Sequence, residues 1–154
     1  MSTITVDKAP FRKIDWLPRE IDVQRREDGV VIIRSRFPLA SYATHIPALL
    51  RHWSVERPEQ IWLAQRRGPG REWLRLSYGQ AMREVDALTQ ALIDSGLRAD
   101  QPVAILSGNS IEHALMTQAA MQAGVPAAPV SPAYSLVSQD HQKLRYIFGM
   151  IRPG

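Results

Sequence analysis

The chain has 154 residues, 45% hydrophobic and 22% charged, the balance of a globular domain large enough to bury a core. It has no cysteine, which excludes disulfides, thiolate catalysis and cysteine-type zinc sites and fits a cytoplasmic setting. The net charge of +4 is shared between the front and the rest with no basic tail, and no run approaches the roughly 18 apolar residues of a membrane span.

The opening "MSTITVDKAPFRKIDW" lacks the apolar centre of a secretory signal. Pro10 and Pro18 make residues 1–20 irregular. "IDVQRREDGVVIIRS" reads as a hairpin. Ile21 and Val23 alternate with polar residues, Asp28-Gly29 is a turn pair, and a β-branched run follows. Residues 1–40 thus form an arm, and 41–154 differ from it in pattern.

Residues 44–56 carry Ile46, Leu49, Leu50 and Trp53 at helical spacing, with Pro47 in the first turn and Pro58 closing the segment. "IWLAQRR" and "EWLRLSY" flank "GPG" as a second hairpin, with Trp62 and Trp73 as a cross-strand packing pair. Its basic run sets Arg66, Arg67, Arg71 and Arg75 against Glu72. A nucleic-acid footprint would cluster more strongly among stacking aromatics, so a solvated hairpin is the plainer reading and nucleic-acid binding a distant alternative.

The clearest helix covers residues 77–96. Ser77 and Gln80 have capping-box spacing, Tyr78, Met82, Val85, Leu88 and Leu92 make one apolar stripe, and Gly96 supplies a left-handed stop. "PVAILSG" follows as a continuous apolar strand, the pattern of burial on both faces of a parallel sheet. "NSIEHALMTQAAMQAG" is a helix apolar nearly all round, with Asn109 and Glu112 at capping-box spacing and Gly124 as its stop. "VPAAPVSP" is extended, and "SLVSQDHQKLRYIFGMIRPG" is a last amphipathic helix anchored by Leu136, Leu144, Ile147 and Phe148. Helices alternating with strands from residue 77 imply βαβ crossovers. The fold class is α/β, a partial doubly wound parallel sheet preceded by a β-hairpin arm.

The turn "SGNS", between a strand and a helix, is where such folds hold phosphate. Gly108 is its only glycine, no lysine follows, and Glu112 puts negative charge in the first helical turn. These features favour a capped helix start over a phosphate loop. His45, His52, His113 and His141 have no metal-ligand spacing, and no G-x-S-x-G elbow is present. Residue chemistry therefore assigns no catalytic group and no metal site.

Residues 44–148 resemble the N-terminal part of acyl-CoA synthetases of the adenylate-forming, AMP-dependent synthetase/ligase superfamily. The likeness rests on "LSYGQAMREVDALTQALIDSGLRADQPVAILSGNS" followed by "IEHALMTQAAMQAGVPAAPVSPAYS". The closing "SPAYSLVSQDHQKLRYIF" and the arm "IDVQRREDGVVIIRSRFPLASY" are most similar to the feruloyl-CoA synthetases. The resemblance implies two steps. A carboxylate, here a hydroxycinnamate such as ferulate, attacks Mg-ATP to give an acyl-adenylate and pyrophosphate, and coenzyme A then displaces AMP. It also implies a Ser/Thr/Gly-rich loop ending in lysine, a glutamate for Mg2+, an aspartate for the ribose and a lysine on a small C-terminal domain. None of these is found in the sequence, so the chain is expected to be an N-terminal piece, inactive alone, whose partner is the remainder of the ligase. Ser131, Pro132, Ala133 and Tyr134 fall where the family's coenzyme A path is expected. The competing readings are a freestanding α/β interaction module and a weak nucleic-acid binder through hairpin 66–75.

Overall fold

In the computed structural model, residues 13–16 and 20–154 are described; the expectations at Pro10 and Pro18 lie outside them. Two units result, Met1–Tyr42 and Ala43–Gly154.

In the first unit, β1 (Ile21–Arg25) pairs antiparallel with β2 (Val31–Ser35), Val23 opposite Ile33. Asp28-Gly29 makes the turn as expected. Gly29 sits at φ 84°, a left-handed conformation that costs glycine least, and the Asp28 carboxylate accepts the Val30 N–H at 3.1 Å.

The second unit opens with α1 (Ile46–Glu56), whose N-cap is His45: Nδ1 accepts the Ala48 N–H at 3.2 Å. Pro47 sits in the first turn and is buried, as is Leu50. Ile46 and Leu49 are half-exposed, so the apolar face is narrower than the periodicity predicts. Strands β3 (Ile61–Arg67) and β4 (Glu72–Ser77) form the second hairpin. The expected Trp62–Trp73 pair does not form. Trp73 lies opposite Arg66, whose guanidinium stacks 4.8 Å from its ring, while Trp62 sits four residues away along the strand and packs near Tyr78.

Helix α2 (Tyr78–Asp94) starts with the predicted capping box: Ser77 Oγ accepts the Gln80 N–H and Gln80 Oε1 accepts the Ser77 N–H. Met82 and Val85 are buried with Ala81 and Thr89, and Leu88 and Leu92 flank them. Gly96 follows at φ 75°. Met82 and Val85 join Leu50 of α1 and Ile111, Leu115 and Ala119 of α3 (Ile111–Ala123) in one core cluster. Burying each large side chain there contributes about 1.5–3 kcal/mol.

Strands β5 (Val103–Ile105) and β6 (Ala127–Pro129) lie parallel, so the helices and strands alternate as predicted. The β5 strand is shorter than "PVAILSG" implied, and Leu106 is 38% exposed. One partner strand that stops at Pro129 supports pairing only this far. The last predicted helix is broken. A single π-helical turn, Ala133–Val137, is followed by residues 138–141 and then by α4 (Gln142–Ile151). Ser138 Oγ donates to Asp140 and accepts the His141 N–H, and Asp140 accepts the Gln142 N–H. These side chains take backbone partners a continuous helix would use. Leu136 is accordingly 74% exposed, whereas Leu144, Ile147 and Phe148 are half-buried on α4. Among the described residues, no helix is long and apolar enough to cross a membrane.

Candidate functional site

Parallel strands point their carboxyl ends the same way, and in open α/β sheets ligands bind just beyond those ends. Here that edge is set by two strands. Val103 N–H donates to Pro126 O at 2.9 Å, and Val130 N–H donates to Ile105 O at 3.0 Å. The chain leaving β5 enters the "SGNS" turn, and the chain leaving β6 enters Ser131–Tyr134. Two segments singled out by sequence therefore share one edge of the fold.

The turn after β5 is a helix cap, but Asn109 does not make it. Ser110, at φ −149° and ψ 167°, is the N-cap, and its Oγ accepts the His113 N–H at 3.1 Å. A one-residue shift of the helix start moves Glu112 off the position a capping box needs. Gln65 of β3 accepts the Ile111 N–H at 3.1 Å, so the helix end is tied to the hairpin. Glu112 pairs with Arg67, whose hydrogen bond holds its carboxyl below the ordinary value. A carboxylate and protein acceptors thus already meet the positive end of α3, where an anionic ligand would otherwise bind.

Beside this helix start lies a cavity of about 340 Å3 between Leu63, Ala64 and Gln65 of β3 and the Ser110 cap with Ile111 and His113 of α3. Ser107 Oγ lies 2.9 Å from His113 Nδ1. Among the described residues no carboxylate bonds that imidazole, so the pair lacks the third member that orients a catalytic triad. It ties the turn to the helix. Sequence reading missed it because the five intervening residues reverse direction through a turn no spacing rule describes.

Beyond β6, Ser131, Pro132, Ala133 and Tyr134 form one tight segment. Tyr134 N–H donates to Ser131 O at 3.0 Å, and Ala133 N–H to Ser131 Oγ at 3.4 Å. The Lys143 amine of α4 stands 5.3 Å from the Tyr134 ring, so the break at 138–141 brings a cation back over this segment. The sequence offered no signal for that contact, since a continuous helix would carry Lys143 away.

Of the four hairpin arginines, Arg66 stacks on Trp73 and Arg67 pairs with Glu112, so half of the basic run serves the fold. Among the described residues no group of three or more His, Asp or Glu side chains lies where it could hold a metal ion.

The fold is similar to that of several solved structures. One is a fatty acyl-adenylate ligase from L. pneumophila solved with acyl adenylate and pyrophosphate, at 16% identity and TM-score 0.62, covering 72% of this chain and 19% of that one. A second is a fatty acid AMP ligase from Legionella pneumophila, at 15% identity and TM-score 0.63, again covering 72% of this chain and 19% of that one. A third, CmiS6, shares 22% identity at TM-score 0.62, with 76% of this chain and 27% of that chain covered. The chain thus spans about a fifth to a quarter of the structures it matches. No curated protein matches it. Residues 50–148, well over half of the chain, match the model of the AMP-binding enzymes, and the chain belongs to that family.

Proposed function

We propose that the chain is the N-terminal part of an ATP-dependent carboxylic acid–coenzyme A ligase, with residues 1–40 as an arm and 41–154 as an incomplete subdomain. The family match over residues 50–148 carries this reading, and the shared edge of β5 and β6 supports it. The acid is activated as an acyl-adenylate from ATP with Mg2+, and coenzyme A then takes the acyl group. Hydroxycinnamates such as ferulate are the acids proposed, from the resemblance of "SPAYSLVSQDHQKLRYIF" and of the arm. The working place is cytoplasmic.

In this reading the chain's own residues scaffold. The Ser110 cap and the Gln65 tie fix α3, and α3 fixes β5 and β6. Ser131–Tyr134 borders the coenzyme A path, with Tyr134 and Lys143 presenting a ring and a cation to a nucleotide thiol. Phosphate binding and metal binding belong to the remainder of the ligase.

The test uses the full-length protein encoded by the reading frame containing these residues. Acyl-CoA formation is measured with ferulate, coumarate, benzoate and a fatty acid, the hydroxycinnamates being expected to lead. Tyr134→Ala is expected to raise KM for coenzyme A severalfold and leave KM for ATP unchanged. Unchanged KM for coenzyme A would remove Tyr134 from the path, and absence of product with every acid would overturn the ligase reading.

A further inference from the structure

The register of the β3–β4 hairpin sorts its charges by face. Arg67 lies opposite Glu72, Arg66 opposite Trp73, and Ala64 opposite Arg75. Residues directly opposite share a face, and so do alternate residues along a strand. Arg67, Glu72 and Gln65 therefore take the side that meets α3, where Arg67 pairs with Glu112 and Gln65 accepts the Ile111 N–H. Arg66, Trp73, Ala64 and Arg75 form a quartet on the other side, with no acidic residue among them.

That quartet is exposed and its charge is uncompensated. All four residues stand open to solvent, Trp73 at 49%. The Arg66 guanidinium lies 4.8 Å from the Trp73 ring, a contact that steadies the side chain and leaves its charge unbalanced. Among the described residues, the arginines paired with a carboxylate are Arg26, Arg36, Arg51, Arg67 and Arg98. Arg66 and Arg75 are not among them, and neither is Arg71 in the turn that joins the two strands.

We infer that this face binds an acidic peptide segment of a partner protein, two carboxylates of an extended chain meeting Arg66 and Arg75. The charge is complementary, and a guanidinium presents paired N–H donors that match a carboxylate. The spacing fits as well. Arg66 and Arg75 are diagonal neighbours across the ladder, a placement that sets side chains about 7–8 Å apart. Side chains i and i+2 of an extended peptide lie about 6.6 Å apart on one side. Ala64, the small member of the quartet, leaves the space between them open. A nucleic acid fits less well. Arg66, Arg71 and Arg75 would neutralise few phosphates, and Arg66 already covers a face of the ring on which a base would stack. The inference does not rest on the ligase reading.

The test uses the protein encoded by the full reading frame and a labelled, end-blocked peptide that alternates glutamate with threonine, with binding read by fluorescence anisotropy. Saturable binding is expected, and none when glutamine replaces the glutamates. Arg66→Gln and Arg75→Gln are each expected to weaken binding by about 2- to 5-fold, the worth of one exposed ion pair. Both positions are exposed, so these variants are expected to keep the parent's melting temperature. Arg145→Gln, which removes the same charge from the exposed side of α4, is expected to leave the affinity unchanged. The inference is overturned if the glutamate peptide does not bind at millimolar concentration, if neither hairpin variant weakens it, if Arg145→Gln weakens it as much, or if single-stranded DNA of equal charge binds more tightly.

Discussion

Asn109 and Ser110 are adjacent and both can cap a helix, yet only Ser110 does. Its extended backbone turns Oγ back onto the His113 N–H. Ser110→Ala should therefore cost about 1 kcal/mol and Asn109→Ala much less, which paired urea midpoints would show. Gly124 ends the same helix at φ 74°, where its N–H meets Met121 O and the Val125 N–H meets Ala120 O. A Cβ there would touch nothing within 4 Å, so the penalty for Gly124→Val is one of backbone conformation alone. A loss of more than about 1 kcal/mol is expected, with a lower urea midpoint as the readout; an equal midpoint would contradict the left-handed stop.

Helices α1, α2 and α3 are tied across their exposed side by one polar cluster. Arg51 grips Asp86 with two nitrogens, at 2.6 and 3.4 Å, and Gln122 bonds both residues. Partial burial raises the Asp86 carboxyl, but the hydrogen bonds from Arg51 and Gln122 outweigh it and hold the group below its usual 3.8. A depressed folded value stabilises the protein above the unfolded value, and that stabilisation disappears as pH falls through the folded one. Stability should therefore drop on acidification below about pH 4, by at most about 1 kcal/mol because the pair is half-exposed. Asp86→Asn should flatten that drop, which melts between pH 2 and pH 6 would measure. Element existence was legible wherever local chemistry decides it. The Ser77–Gln80 box, the Asp28-Gly29 turn and the Gly96 and Gly124 stops all lie where expected. The break at 138–141 was not legible, because Leu144, Ile147 and Phe148 kept helical spacing while Ser138 and Asp140 took the backbone partners. The Trp62–Trp73 pairing failed for want of register, which a hairpin's loop and bulge set and composition does not.

At the scale of the molecule, the parallel pair β5–β6 places "SGNS" and Ser131–Tyr134 at one edge, and the alternation of helix and strand foretold that order. The tie from Gln65 to α3 and the contact of Lys143 with Tyr134 were hidden, since each joins parts of the chain whose approach depends on tertiary packing. The family is evident from a long ordered pattern over residues 50–148 rather than from any single local motif. Stabilising charge that develops at the α-phosphate needs preorganised donors and a metal. The most direct measurement is exchange of labelled pyrophosphate into ATP, run in parallel on the 154-residue chain and on the full-length protein with ferulate, coumarate and benzoate. The account predicts exchange by the full-length protein and none by the 154-residue chain; robust exchange by the short chain, or none by the full-length protein with any aryl, short-chain or fatty acid, would contradict it.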